Sequence, residues 1–308
     1  MSHNIPSQNS VPQGNGSAGW LRLIFPAICA LALYCIPLPQ DRVLSIHESV
    51  LPQTAQLMAD NGDWLIPRRD AVAPWIENPP LPQWLTVAMC TIAGTCSQAW
   101  VSRLTAGISG ALAVLLVTLM AARLFGTGIG VLSGLTMATS YEVVRYATLA
   151  EDEIFLTLTS AAAMTCFVFA EFKASRTGGE RSSPTQRSTP RAWGYRSWWV
   201  VAFFIATGLT NLTKGVGFGP MMVLVPVTCF IALSWDLTHF RRYLWAWGIV
   251  IFLLLTLWWP IAVNLTIPGS LEVWVYDLLG RASGDYELIS KPFWYYGIAL
   301  AQVTAPWI

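Results

Sequence analysis

Apolar runs recur along the chain at about the length a bilayer demands, with polar segments between them. A helix needs roughly 20 apolar residues to cross a hydrocarbon core. Runs of that kind predict spans at about 20–38, 102–122, 127–147, 153–171, 198–213, 216–234, 243–263 and 292–308. Residues 1–19 hold Asn, Gln, Ser and Gly with no apolar run, and read as a disordered cytoplasmic tail. The first run ends in Pro37-Leu38-Pro39 without a small-residue cleavage site, so it reads as a span and not as a removed signal peptide.

Segment 39–101 breaks the series and predicts a long external loop. Its apolar stretch 81–96 is short and follows Pro79-Pro80, which fits a helix lying in the membrane interface. Residues 50–60 predict a second interfacial helix, with Ser49 as its N-cap, Pro52 in the first turn and Asn61-Gly62 at its end. Residues 264–291 read as a polar external loop. The last run starts at Pro292 and stops without a polar flank, so a C-terminal part is expected to be missing.

Composition narrows the class to an all-α, polytopic membrane protein. The chain is 54% hydrophobic and 11% charged, against about 25% charged in ordinary soluble domains. A net charge of +1 gives no indication of nucleic acid as a partner. Sixteen tryptophans fit interfacial belts. The six cysteines lie in apolar stretches with no CxxC pair, and are expected to be small core residues in preference to a disulfide or metal site. Segment 172–197 is rich in Lys and Arg, which makes it a cytoplasmic loop by the positive-inside rule. Arg123, Arg241 and Arg242 then fall on the same side. Glu171, Glu180 and Asp236 remain as the inner acids, and all other acids lie outside. The sequence has no P-loop, no GxGxxG in a βαβ setting and no HExxH. No internal repeat is evident, which weakens an inverted-repeat transporter.

Four polar stretches on the outer side can carry chemistry, and each has an ordinary explanation beside it. His47-Glu48 joins a titratable imidazole to a carboxylate before the first interfacial helix; it is otherwise a solvated loop. Glu77-Asn78-Pro79-Pro80, close after Trp75, sets an acid on a rigid turn or simply anchors the interface. Glu151-Asp152-Glu153 forms an acidic site or marks a span end. Lys214, near Gly215, Gly217 and Gly219, faces a lipid phosphate or snorkels to water. Arg68, Arg69, Arg103, Arg145, Arg281 and Lys291 are further outer cations, and spacing does not choose among them.

The order of these stretches resembles a known family. An acid-bearing corner is followed by Gly62-Asp63-Trp64-Leu65-Ile66-Pro67 and Glu77-Asn78-Pro79-Pro80-Leu81-Pro82-Gln83-Trp84-Leu85. Then come Ser102-Arg103-Leu104, Ala122-Arg123-Leu124-Phe125-Gly126, Leu212-Thr213-Lys214-Gly215 and Lys291-Pro292-Phe293-Trp294-Tyr295-Tyr296, with Pro306-Trp307 closing. Over about residues 20–308 the chain resembles the aminoarabinose transferase and protein O-mannosyltransferase superfamily. These are polytopic GT-C glycosyltransferases that use polyprenyl-phosphate sugars, and the bacterial branch is the more similar. The resemblance implies a GT-C first external loop with two interfacial helices. It also implies residence in a bacterial inner membrane with an extracytoplasmic active site.

The implied roles fall on matched positions. The family corner reads Asp-Glu, with the Asp the favoured catalytic residue; His47 stands at the Asp position and Glu48 at the Glu. His47 and Glu48 are expected near the attacking oxygen, and Asp152, which matches a second acid, is expected to position the acceptor or share the base role. Glu77 matches the acid of Glu-Lys-Pro-Pro-Leu, Asn78 replaces its Lys, and Trp75 replaces its Tyr. Lys214 matches the Lys of Thr-Lys-Gly and is expected to face the lipid phosphate. Carboxylates with a His also suit a divalent metal ion, with Glu77 a candidate ligand, but no ligand spacing identifies one. The implied partners are a polyprenyl-phosphate-linked sugar donor, a lipid, glycan or protein acceptor, and membrane lipid. The departures at 47 and 78 keep two alternatives open: a non-catalytic lipid-binding or transport protein, and an inactive paralogue in envelope assembly.

Overall fold

A computed structural model of the chain describes residues 16–39, 43–70, 72–172, 198–234, 242–283 and 292–307; side chains are described from Gly19 and, within 242–283, through Tyr276. Most of the expected tail, the basic loop 173–197, Arg241, the Arg281 side chain and Lys291 lie outside the described residues. The described chain is all-α, in twelve helices. They are α1 Gly16–Cys35, α2 Val50–Asn61, α3 Leu81–Ala93, α4 Ala99–Phe125, α5 Thr127–Thr139, α6 Tyr141–Thr148, α7 Glu153–Glu171, α8 Trp198–Asn211, α9 Phe218–Ser234, α10 Ala246–Thr266, α11 Ser270–Ser283 and α12 Phe293–Thr304.

Three helices, α4, α7 and α10, are long and apolar enough to cross a membrane. The chain is an integral membrane protein. The 27 residues of α4 rise about 40 Å. Its buried face is built largely of small residues, among them Ala106, Gly107, Ser109, Gly110, Ala111 and Ala113. Small residues let helices approach closely where no hydrophobic effect drives them together. A Cβ on Gly110 would stand 2.8 Å from the Ala147 Cβ and 3.1 Å from the Tyr34 ring. Around α4 pack α1, α5, α6 and α7. The Tyr34 hydroxyl, buried between α1 and α5, donates to the Ala138 carbonyl at 3.0 Å.

The expected single span 127–147 is broken at Ser140. That residue is extended (φ −68°, ψ 136°), and its hydroxyl donates back to the Thr136 carbonyl at 2.7 Å. Helix α6 then departs with Glu142 in its first turn and Arg145 in its last. The polar side chains of α6 cannot continue the apolar face of α5, and this ends the run. The expected polar loop 264–291 is also corrected, because it contains α11. Trp274 anchors α11: it is buried, its ring lies 5.4 Å from that of Trp259, and its indole donates to the Ile76 carbonyl at 2.8 Å.

The two helices of segment 39–101 form close to where the pattern places them. Helix α2 ends at Gly62, whose φ of 68° is left-handed and therefore suits glycine. Ser49 does not act as the expected cap. It is helical in backbone with no side-chain cap bond, and its hydroxyl donates to the Ile46 carbonyl at 2.8 Å. Helix α3 has 13 residues and rises about 20 Å, short of a ~30 Å hydrocarbon core. It stops at Gly94, again with positive φ. That turn brings Cys96 back onto Cys90, and the two form a disulfide. The expectation of six unpaired cysteines fails here, because the pairing depends on this turn and not on a sequence motif. Alkylation should therefore find Cys90 and Cys96 only after reduction, whereas Cys29, Cys35, Cys166 and Cys229 are free. Closing so short a loop restricts the unfolded chain by about 2 kcal/mol. Dithiothreitol should thus lower the unfolding temperature of detergent-solubilised protein by several degrees.

The segment between α8 and α9 is fixed from both sides. Asn211 is buried and donates to the Thr256 carbonyl of α10 at 2.9 Å, and its Oδ1 accepts the Gly217 N–H at 2.7 Å. Gly217 has a φ of 89°, a conformation that strains other residues. The Leu212 carbonyl accepts the Leu81 N–H at 3.0 Å, which ties this segment to the start of α3. At Gly219 an added Cβ would collide with the Thr210 carbonyl, which is backbone and cannot rotate away. Gly219→Ala is expected to cost about 1–3 kcal/mol by overpacking, visible as a lower unfolding temperature.

Candidate active site

A cavity of about 530 Å³ opens where the turn before α2, residues 69–78, the α6–α7 corner, Lys214 and the first turns of α11 meet. His47, Trp75, Glu77, Asn78, Asp152 and Lys214 all line it. Six of the seven residues singled out from sequence thus share one cavity, although they come from four separate stretches of chain. Glu151, Glu153 and Arg69 line it as well.

Glu48 does not line the cavity. It is 1% exposed, and its Oε1 accepts the Arg103 Nε–H at 2.7 Å. Arg103, from α4, is buried too. The Ala150 N–H also points to Oε1 at 3.4 Å, and the Ser45 N–H to Oε2 at 3.4 Å. Burial works against the charge, but the hydrogen bond and charge of Arg103 and the two amides outweigh it and hold the carboxyl below its ordinary value. Glu48 therefore pins the His47 turn to α4 and to the corner that carries Asp152. From sequence alone Arg103 was only one of six outer cations; no local pattern marks its partner, which is 55 residues away.

Asp152 precedes the first residue of α7. Its Oδ2 accepts the Asn78 amide at 3.0 Å, and its Oδ1 is buried with no partner. Desolvation, assisted by the negative charge of Glu153, pushes its pKa up to about 7; Lys214 and the Asn78 bond oppose the rise. Burial and Glu153 also raise Glu151. Lys214 forms an ion pair with Glu153, so the cation expected to face a phosphate is already committed to a carboxylate. His47 and Glu77 are exposed at the cavity. The site thus sets a carboxyl whose pKa is pushed up to about 7 in one cavity with two cations, Lys214 and Arg69. Such an arrangement suits proton removal from a hydroxyl beside a departing anion. Among the described residues, no three His, Cys, Asp or Glu side chains are arranged to hold a metal ion.

Comparison with known proteins bears on the fold. Residues 77–177 match the family described as dolichyl-phosphate-mannose-protein mannosyltransferase. An undecaprenyl phosphate-alpha-4-amino-4-deoxy-L-arabinose arabinosyl transferase of Shewanella sediminis is 23% identical over 280 residues, covering 90% of this chain and 47% of that protein. The crystal structure of ArnT from Cupriavidus metallidurans bound to undecaprenyl phosphate superposes with a TM-score of 0.73 at 20% identity, covering 95% of this chain and 50% of that one. The oligosaccharyltransferase of Archaeoglobus fulgidus gives a TM-score of 0.57 at 15% identity, covering 94% and 37%. The chain spans about half the length of the curated relatives it matches.

Proposed function

We propose that this chain, an integral membrane protein of the polytopic GT-C glycosyltransferase superfamily, moves a sugar from a polyprenyl-phosphate donor to an acceptor hydroxyl on the extracytoplasmic face of a bacterial inner membrane. The observation that carries this reading is the cavity that joins the buried, high-pKa Asp152 to Asn78, Lys214, Glu77 and His47. The S. sediminis relative is named for an undecaprenyl-phosphate-linked sugar, and the C. metallidurans structure holds the lipid phosphate itself.

In the reaction, the acceptor oxygen forms a bond to the anomeric carbon while the bond from that carbon to the phosphate oxygen breaks. Polyprenyl phosphate departs with the bonding electron pair. Asp152 in its carboxylate form takes the acceptor proton, and a pKa near 7 leaves a substantial fraction ready to do so. Asn78 orients that carboxylate without neutralising it. Lys214, paired with Glu153, keeps the accumulated negative charge of the corner from pushing the Asp152 pKa higher. Glu48 acts as a positioning residue, holding the turn of His47 and the corner of Asp152 together through Arg103 and the Ala150 amide. His47 stands at the exposed mouth, where it can assist the incoming hydroxyl.

Two observations support the orientation. The Cys90–Cys96 disulfide belongs to the segment that borders the cavity, and disulfides persist in oxidising compartments. The opposite end of α7 gathers basic groups: Arg242 pairs with Glu171 at 2.7 Å, and Arg123 donates to the Phe172 carbonyl at 2.9 Å. Nineteen helical residues, about 28 Å of rise, separate that end from the cavity.

The test is reconstitution of the full-length protein in lipid nanodiscs with polyprenyl-phosphate sugars and candidate acceptors. Sugar transfer lost in Asp152→Asn supports the reading. Transfer unchanged in both Glu48→Gln and Asp152→Asn would sink the site assignment. Lipid binding without turnover of any lipid-linked sugar would favour a binding or transport protein.

A further inference from the structure

We propose that Arg69, steadied by Trp75, is the residue that receives the phosphate of the lipid-linked donor, in place of Lys214. The assignment rests on the donor reading above and adds the residue that recognises the donor's charge. The basic side chains near the cavity differ in what already holds them. Arg103 is buried against Glu48, and Lys214 is paired with Glu153. Arg69 lines the cavity and has no carboxylate within ion-pair distance among the described residues.

Its place is built and not incidental. The chain doubles back between Pro67 and Trp75 in a short hairpin. The Trp75 N–H donates to the Pro67 carbonyl at 2.6 Å, and the Arg69 N–H to the Ala73 carbonyl at 3.3 Å. Arg68 and Pro74 form an antiparallel bridge within it. At the tip, Asp70 Oδ1 accepts the amides of Val72 and Ala73 at 2.8 and 2.6 Å, so one oxygen of this neighbouring acid is held by backbone. The hairpin sets the Arg69 guanidinium 4.4 Å from the centre of the Trp75 ring. Stacking leaves the edge of a guanidinium free to donate while it restricts the side chain.

A second observation points to an oxygen-bearing ligand. The Trp75 indole N–H is buried and has no acceptor among the described residues. Buried donors ordinarily have partners, so an acceptor brought by a ligand answers a need already present. Four carboxyl groups, Glu77, Glu151, Asp152 and Glu153, also line the cavity. A phosphate therefore needs a cation not already offset by one of them. Arg69 meets that need, and its planar fork matches two phosphate oxygens at once.

The experiment compares binding of undecaprenyl phosphate with that of undecaprenol, its uncharged counterpart, to the full-length protein in nanodiscs. Wild type is expected to prefer the phosphate by about tenfold or more, as charge-assisted contacts do. Arg69→Gln should bind undecaprenol as wild type does, which reports an intact fold, yet lose most of the preference. Arg69→Lys should restore part of it, since a point charge replaces the fork. The double variant Glu153→Gln, Lys214→Gln removes their ion pair without leaving a lone carboxylate, and should alter the preference by less than about threefold. If the preference survives Arg69→Gln and disappears in the Glu153→Gln, Lys214→Gln double variant, the assignment to Arg69 is overturned while the donor reading stands. Equal affinity of wild type for both lipids would overturn the donor reading and this assignment with it.

Discussion

Arg103→Met is expected to lower stability by about 3–5 kcal/mol, because it removes the guanidinium from which the buried Glu48 carboxylate accepts at 2.7 Å. Both side chains are almost fully buried, at 3% and 1% exposure. The expected magnitude reflects the cost of breaking a buried pair from one side more than the worth of the pair. The double variant Glu48→Met, Arg103→Met should accordingly recover much of the loss, since apolar residues of similar volume often replace a buried pair at little cost. Thermal unfolding of the three proteins in one detergent measures this. Double-variant stability no better than that of Arg103→Met would show that the pair contributes through more than its charges. Transfer activity separates the two effects. A double variant that folds but transfers sugar poorly would show that Glu48 positions the corner beyond simply stabilising it.

Asp152→Asn is expected to reduce the rate of sugar transfer by a factor of about 10²–10⁴, the range that removal of a general base covers. The pH dependence gives a finer test. Wild-type activity should rise with pH around a midpoint near 7, where Asp152 loses its proton. Asn78→Lys would place a full positive charge where the neutral amide now donates to Oδ2. A cation beside a carboxylate lowers its pKa by about one to three units, so the activity limb should move to lower pH. An unmoved limb in Asn78→Lys would remove Asp152 as the titrating base. Stability follows the opposite course. The folded state holds the Asp152 proton more tightly than an unfolded chain, whose value is near 3.8. The Asp152 contribution to stability is therefore greatest below that value and is lost as pH rises through about 7. Asp152→Asn should flatten this dependence.

The two effects arise from two carboxylates that the sequence presents alike. Glu48 and Asp152 each sit just before a helix, next to another titratable residue. The fold gives one of them a buried arginine and two amides, which favour its charge. It desolvates the other beside an acidic neighbour and leaves one of its oxygens unpartnered among the described residues, which opposes its charge more than the Asn78 amide and Lys214 favour it. The first is thereby suited to hold structure and the second to exchange a proton.

The linear pattern was enough for the membrane class, for most helices, and for the positions of α2 and α3, because bilayer length, apolar periodicity and Pro or Gly at helix ends are local properties of the chain. It also indicated which polar stretches to examine, since charges are costly in an apolar setting wherever they occur. It did not indicate that the 127–147 run would break at Ser140 or that α11 would form, as these depend on a back-bonding hydroxyl and on Trp274 packing against Trp259. Nor did it indicate the Cys90–Cys96 disulfide, the Glu48–Arg103 pair or the Lys214–Glu153 pair. Each of these is set by which groups the folded chain brings within a few ångströms, and charge interactions depend on that distance and on burial far more than on residue type. Tertiary structure alone therefore decided which acid is held as an ion, which is left to titrate, and which cation of the cavity has no carboxylate partner among the described residues.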